Sequence, residues 1–200
     1  MILNRGFICI FTLDKMEELR RFLKSYHKYN AHPISIILAK DIRDAHRIKT
    51  LCAFYTPFPL TALLDIDMLI NGDLDELFDT ALDGKIGIVR EKICPVLNSG
   101  MLVFPREAMR LVCKIWNERY EAKLKKGFNG STGTWDQDIL NKIIKGFPHR
   151  ELPSKWNHIL KDYTPEQELE IYDQVKIFHF LHAPDIKRET YKSYQEFIKL

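Results

Sequence analysis

The sequence predicts an α/β fold in which a mostly parallel central sheet is flanked by helices. Three observations carry this expectation. Short continuous apolar runs of strand length alternate with longer stretches whose apolar residues recur at helical spacing, and such alternation builds parallel sheets through crossover helices. Apolar residues make up 46% and charged residues 28% of the 200 residues, enough for a sizeable core in an ordinary globular protein. No internal repeat, low-complexity tract or linker interrupts the chain, so one domain spanning 1–200 is expected.

Phe7–Phe11 reads as a buried strand. Asp14 and Glu17 form a capping-box pattern, and Met16, Leu19, Phe22, Leu23 and Tyr26 follow at helical spacing. Ile34–Leu38 is a second strand after Pro33, and a weakly patterned helix is expected over Arg43–Phe54. Leu60–Ile66, Ile86–Arg90 and Met101–Phe104 are further strands. Pro105 opens an amphipathic helix through Met109, Val112, Cys113, Trp116, Tyr120 and Leu124, which Gly127 ends. Phe128–Thr134 is a flexible Gly/Ser/Thr loop, and Thr134 caps a helix carrying Ile139, Leu140, Ile143 and Ile144. Val175–Phe180 alternates as a late strand, and Glu189–Leu200 reads as a surface helix.

A formal net charge of +3, with both signs interspersed, describes a solvated mixed surface and argues against nucleic acid as a partner. Cys9, Cys52, Cys94 and Cys113 are widely spaced and form no C-x-x-C, so neither a zinc knuckle nor a redox motif is indicated. Cys9 and Cys113 sit among apolar residues and read as buried thiols, which suits a reducing compartment. Phe7–Phe11 is too short for a signal sequence or a membrane span, and no integral membrane segment stands out.

Within Leu63-Leu64-Asp65-Ile66-Asp67-Met68-Leu69-Ile70, two carboxylates interrupt an apolar run. An ionised carboxylate there is costly unless paired or metal-bound. On an extended strand, residues i and i+2 point to the same side, so Asp65 and Asp67 converge on one ligand at the strand's carboxyl end. Hard carboxylate oxygens suit Mg²⁺ or Mn²⁺, metals that usually bind phosphates as well, so a metal–diphosphate is the expected ligand. The plainer alternative is a pair of solvated aspartates at a strand end. In an open α/β sheet the end of the first strand, Thr12-Leu13-Asp14, shares the ligand-binding edge with this pair.

The wider segment Thr56–Phe78, with Asp65-Ile66-Asp67, Gly72-Asp73-Leu74 and Leu77-Phe78, resembles the DxD segment of nucleotide-sugar glycosyltransferases with a GT-A fold, and in particular glycosyltransferase family 8. Asn98-Ser99-Gly100 is similar to that family's Asn-Ser-Gly before a strand, whose Asn faces the donor sugar; by itself it is also an ordinary turn. Trp135-Asp136-Gln137-Asp138-Ile139-Leu140-Asn141 resembles the family's Asp-Gln-Asp-x-Leu-Asn, whose Asp-Gln pair lies beside the reacting anomeric carbon. Thr134 and Gln137 equally satisfy a T-x-x-Q capping box, with Asp136 and Asp138 placed where the helix dipole favours acids. Leu152-Pro153-Ser154-Lys155-Trp156-Asn157 resembles a family segment packed beside the site, and His179 stands where the family's histidine completes metal coordination.

The resemblance implies a metal-dependent transferase that moves a sugar from a nucleoside diphosphate donor, a UDP-sugar, to a hydroxyl acceptor with retention of configuration. Asp65, Asp67 and His179 would hold Mn²⁺ (or Mg²⁺). Thr12, Asp14, Asp65, Asn98 and Lys187 would bind the donor, and Asp136 and Gln137 would act at the sugar. Asp14 either binds the base or caps its own helix. With no anchor visible ahead of the domain, a cytoplasmic enzyme is expected. The family's Gly and Lys-Pro-Trp after the histidine are absent: His182 and Asp185 occupy the Gly and Lys positions, and Lys187 or Arg188 would have to supply the cation. That loss keeps a catalytically silent sugar-nucleotide-binding module as an alternative. A further alternative, a haloacid-dehalogenase-type phosphatase, is disfavoured because its Asp-x-Asp begins the domain and a Thr or Val follows where Leu69 stands here.

Overall fold

The computed structural model describes residues 4–92, 96–126, 135–160 and 171–180. The loop Phe128–Thr134, Gly127, Cys94, Lys187 and the tail Glu189–Leu200, each assigned a part from the sequence, lie outside the described residues.

The chain runs β1 (Arg5–Thr12), α1 (Met16–Tyr29), β2 (Ile34–Ala39), α2 (Ile42–Thr50), α3 (Cys52–Tyr55), β3 (Leu60–Leu64), β4 (Met68–Ile70), α4 (Asp75–Asp79), β5 (Ile86–Arg90) and β6 (Leu97–Pro105). It continues with α5 (Arg106–Lys125), α6 (Trp135–Ile143), β7 (His149–Leu152), β8 (His158–Ile159) and β9 (Ile177–His179). The large sheet has the order β2-β1-β3-β6-β5-β7. Its pairings are parallel except around β6, which runs antiparallel to both β3 and β5. A small second sheet, β4-β9-β8, stands beyond it.

Successive β1 residues point to opposite faces. Phe7, Cys9 and Phe11 join Phe22 and Tyr26 of α1 and Phe78 of α4 in one core, while Ile8 and Ile10 join Leu63, Leu102, Trp116 and Leu140 in another. Both faces of the sheet are therefore covered, which is why its central strands are apolar throughout. A fully buried Phe7 or Phe22 contributes about 1.5–3 kcal/mol by area alone.

Several expectations are corrected in detail. The capping box at Asp14 and Glu17 does not form: a 3-10 turn at Leu13–Lys15 puts Lys15 at the N-cap of α1 without a side-chain cap bond. The single helix expected over Arg43–Phe54 is two, broken at Leu51. β3 ends at Leu64 instead of Ile66, so Asp65 and Asp67 lie in the turn between β3 and β4 and not on an extended strand. β6 begins at Leu97, so Asn98-Ser99-Gly100 belongs to the strand. The late strand shortens to Ile177–His179. Cys9, Cys52 and Cys113 are buried thiols without a disulfide, and burial with the nearby Asp65 charge pushes Cys9 up to about 12. Among the described residues no helix is long and apolar enough to cross a membrane.

His158 on β8 is buried edge-on to Phe178 of β9. Burial, with the positive charge of Lys92 adding to it, pushes its imidazole from the ordinary 6.5 down to about 4. The unfolded chain takes up a proton that the native ring refuses, so the stability tied to this residue is complete above pH 6.5 and is lost as the pH falls toward 4. We expect His158 to account for on the order of 2 kcal/mol of lost stability between pH 7 and pH 4.5. Denaturation midpoints of wild type and His158→Phe across that range check this. Parallel pH profiles would contradict it.

Candidate active site

Strand direction gathers the site at one edge of the large sheet. β1 and β3 are parallel, so their carboxyl ends coincide, and antiparallel β6 delivers its amino-terminal residues to the same edge. β5, antiparallel to β6, ends there too, followed by Glu91. The β5–β6 register jumps between Ile88, paired with Leu102, and Val89, paired with Asn98. Residues 99–101 thus bypass β5. Irregularities of this kind re-aim side chains, and here Asn98 and Ser99 turn into the site.

Asp65 continues the β3–β6 ladder by one bond, donating its N–H to Gly100 O at 2.8 Å, before the chain turns. Asp67 is fixed from the other side by the Phe180 N–H, which donates to its carbonyl at 2.9 Å. The turn brings ligand atoms of Asp65, Asp67 and His179 within 4.8 Å of one another. His179 is fully buried on β9. Its Nε2 lies 3.2 Å from Asp67 Oδ1 yet has no hydrogen-bond partner among the described residues, while its Nδ1 lies 2.8 Å from Asn157 Oδ1. Gly100 keeps the cradle open: a Cβ there would run into the His179 ring and come within 2.9 Å of Asn98 Oδ1 and Asp65 Oδ2. Burial raises the Asp65 carboxyl, and the Asp67 charge adds to that, against the pull of Lys49 and His179. Two mutually repelling carboxylates and a buried imidazole nitrogen form a donor set that could hold a divalent cation.

Asp136, at the start of α6, is 4% exposed. Its Oδ2 accepts from Ser99 Oγ at 2.9 Å and lies 3.4 Å from Lys49 Nζ. Lys49, near the end of α2, also donates to Asp65 Oδ2 at 2.8 Å. Burial alone would push the Lys49 ammonium down, but the Asp136 and Asp65 carboxylates more than reverse this and hold it above its ordinary value. Burial would likewise raise Asp136; Lys49 and His46, with the Ser99 and Lys49 hydrogen bonds, bring it below the ordinary carboxylate value instead.

Gln137 Oε1 accepts from the Ser99 N–H at 3.1 Å, and its Nε2 donates to Glu91 Oε1 at 2.9 Å. Its amide therefore engages β6 and Glu91; Thr134, the other half of the T-x-x-Q capping box, lies outside the described residues. Asn98 Nδ2 donates to the same Glu91 oxygen at 2.9 Å. Asn141 pairs with both backbone groups of Leu97, docking α6 onto β6, while Asp138 is exposed.

Asp65, Asp67, His179, Asn98, Asp136 and Gln137 thus form one connected group. Thr12 is buried at the end of β1 and Asp14 is exposed in the 3-10 turn beyond it; among the described residues no hydrogen bond or ion pair joins either to that group. Lys187 lies outside the described residues. Sequence reasoning missed Lys49 and Glu91. Glu91 could have been found, because it follows an apolar strand just as Asp65 does. Lys49 carries only a weak signal, a lysine beside Ile48 and Thr50 on the apolar side of a poorly patterned helix.

No family model matches the chain, and no curated protein sequence matches it. Solved structures do match. The glycosyltransferase GlyE of Streptococcus pneumoniae TIGR4 superposes with a TM-score of 0.70 at 16% identity over 89% of this chain. The galactosyltransferase LgtC, solved with donor and acceptor sugar analogues, gives 0.66 at 15% identity, covering 88% of this chain and 87% of that one. Mouse xyloside xylosyltransferase 1 gives 0.58 at 16% identity, with 88% and 97% covered. The fold is GT-A. The chain spans 55% of the length of GlyE, so only part of that protein has a counterpart here. Within this GT-A fold, antiparallel β6 is what places Asn98 and Gly100 beside Asp65.

Removing Lys49 would leave Asp136 buried without its main cation. Lys49→Met should lower stability by about 3 kcal/mol, the lower part of the range for breaking a buried pair because Asp65 is about one-third exposed. Urea denaturation measures this. A loss below about 1 kcal/mol would show that the pair behaves like a surface bridge.

Proposed function

We propose that the chain is a glycosyltransferase that moves a sugar from a nucleoside diphosphate donor, UDP-linked, to a hydroxyl acceptor with retention of configuration, dependent on Mn²⁺ (or Mg²⁺). The observation that carries this reading is the Asp65–Asp67–His179 cradle, with its unpartnered His179 Nε2, beside the buried Asp136 and Gln137 on a GT-A scaffold. A bound divalent cation supplies Lewis-acid neutralisation of charge on the departing diphosphate. Asp65, Asp67 and His179 would hold it. Asp136, kept ionised by Lys49, sets a fixed negative charge where positive charge develops at the sugar, and such preorganised charge acts strongly in a site shielded from water. Asn98 and Gln137, each held by Glu91, orient the sugar hydroxyls. The GT-A fold disfavours the phosphatase alternative.

UDP with Mn²⁺ should raise the thermal midpoint, because a ligand bound only by the folded state stabilises it by about 2.7 kcal/mol at a hundred times its dissociation constant. UDP without metal should do little. A UDP-induced shift unchanged by chelator would remove the metal from this reading.

Asp136→Asn separates catalysis from helix support. A charge that merely favours the helix start is worth about 0.3–1 kcal/mol, and its loss would leave turnover intact. Loss of a charge that acts on the sugar would lower donor hydrolysis or transfer by orders of magnitude while UDP affinity holds, since UDP lacks the donor sugar that Asp136 would contact. We expect the second outcome from parallel measurement of UDP affinity and donor turnover. UDP binding without turnover in the wild type would identify a silent binding module instead.

A further inference from the structure

The side chains behind the metal cradle form a chain of hydrogen bonds whose polarity has only one solution. The Gly100 N–H donates to Asn98 Oδ1 at 2.9 Å, and a backbone N–H cannot accept. Asn98 must then present its Nδ2 to Glu91 Oε1, an oxygen that also receives Gln137 Nε2. Gln137 is fixed in the same sense by the Ser99 N–H on its Oε1. Asn98 Oδ1 accepts a second bond at 2.9 Å from Asn157, which must come from Asn157 Nδ2. Asn157 Oδ1 is thereby turned toward His179, 2.8 Å from Nδ1. A carbonyl oxygen only accepts, so His179 Nδ1 carries the hydrogen, and the Nε2 lone pair is the one directed at Asp67 and the cradle.

We infer that Glu91, Asn98 and Asn157 are positioning residues that set the tautomer of His179, and that Glu91 acts on metal affinity without touching the metal. Each member is buried: Glu91 is 4% exposed, Asn98 1% and Asn157 2%. Water therefore cannot readily replace a lost partner, and rotating one amide leaves the next with like groups opposed. The same Glu91 oxygen holds Gln137, so one carboxylate orients an amide at the sugar side and, through two others, the imidazole at the metal side. This inference rests on the metal site proposed above.

The test uses the described chain in full with Mn²⁺ alone, its uptake read as loss of the free-ion paramagnetic resonance signal, and with Zn²⁺ for NMR of the His179 ring N–H. Asn157→Ala, which strips the ring of its partner, should weaken Mn²⁺ binding about ten- to a hundredfold, the usual loss on deleting an outer partner of a ligating histidine. Glu91→Met keeps side-chain length and removes the acceptor; it should weaken binding about tenfold and broaden the His179 Nδ1–H resonance. Glu91→Gln, whose carbonyl still accepts both N–H groups, should keep that resonance and bind within about twofold of wild type. If Glu91→Met fails to fold, Glu91→Gln alone decides, since loss of its ring resonance overturns the relay. Unchanged Mn²⁺ affinity in Glu91→Met, or equal damage from Glu91→Gln, also overturns it. A wild type that takes up no Mn²⁺ overturns the metal reading itself, whereas wild-type uptake with an indifferent Glu91→Met overturns only the relay.

Discussion

A buried ammonium group must be matched by carboxylates, and Lys49 is matched by two drawn from distant parts of the chain. Asp65 arrives from the turn after β3 and Asp136 from the start of α6, so one charge ties α2 to both. The arrangement keeps Asp136 ionised in a site where burial would otherwise favour its neutral form. Lys49 also sets a spacing: Asp65 and Asp136 lie 2.8 and 3.4 Å from the same nitrogen, which draws the two carboxylates together. The remaining polar groups, from Ser99 to His179, pack around that distance.

The second constraint is directional. In a wholly parallel sheet every strand would bring only its carboxyl end to the functional edge. Reversing β6 brings an amino-terminal strand end there as well, so Asn98, Ser99 and Gly100 meet Asp65 and Glu91 across two ladders. The register jump opposite β5 then frees the Ser99 backbone N–H to bond Gln137 in place of a neighbouring strand. Gly100 completes the arrangement by leaving the space that a Cβ would take.

Much of this was legible in the sequence. The apolar runs from Phe7 to Phe104 marked five of the six strands of the large sheet, because well-covered strands are written in continuous apolar residues, whereas the edge strand β7, half-exposed His149–Leu152, carries no such run. Asp65, Asp67, Asn98, Asp136, Gln137 and His179 stood out as a group through motif resemblance, and the structure brings them together. Other features had no local signal. The apolar run continues past Leu64, so nothing in it says that the strand stops and a turn draws the two aspartates together. The direction of β6 depends on its crossover connection, which composition does not encode. Lys49 was unreadable because a lysine on a weakly patterned helix is normally solvated, and only the two carboxylates across the fold make its burial tolerable. The polarity of the Asn157 amide depends on Asn98, 59 residues earlier in the chain, and the His179 ring in turn faces Asn157, 22 residues earlier.

The small sheet has a consequence for the order in which the molecule is completed. β9 lies between β4 and β8 and, among the described residues, is the only strand that bonds to either within that sheet. During synthesis, β4 leaves the ribosome more than a hundred residues before its partner does, since Met68 pairs with His179. Through that interval the Met68–Ile70 segment, apolar and fully buried in the finished fold, has no strand to close against. In the finished fold its other contact is α1, where Ser25 Oγ accepts the Ile70 N–H. The edge beside Asp65 and Asp67 thus stays unfinished until residue 179 has been made.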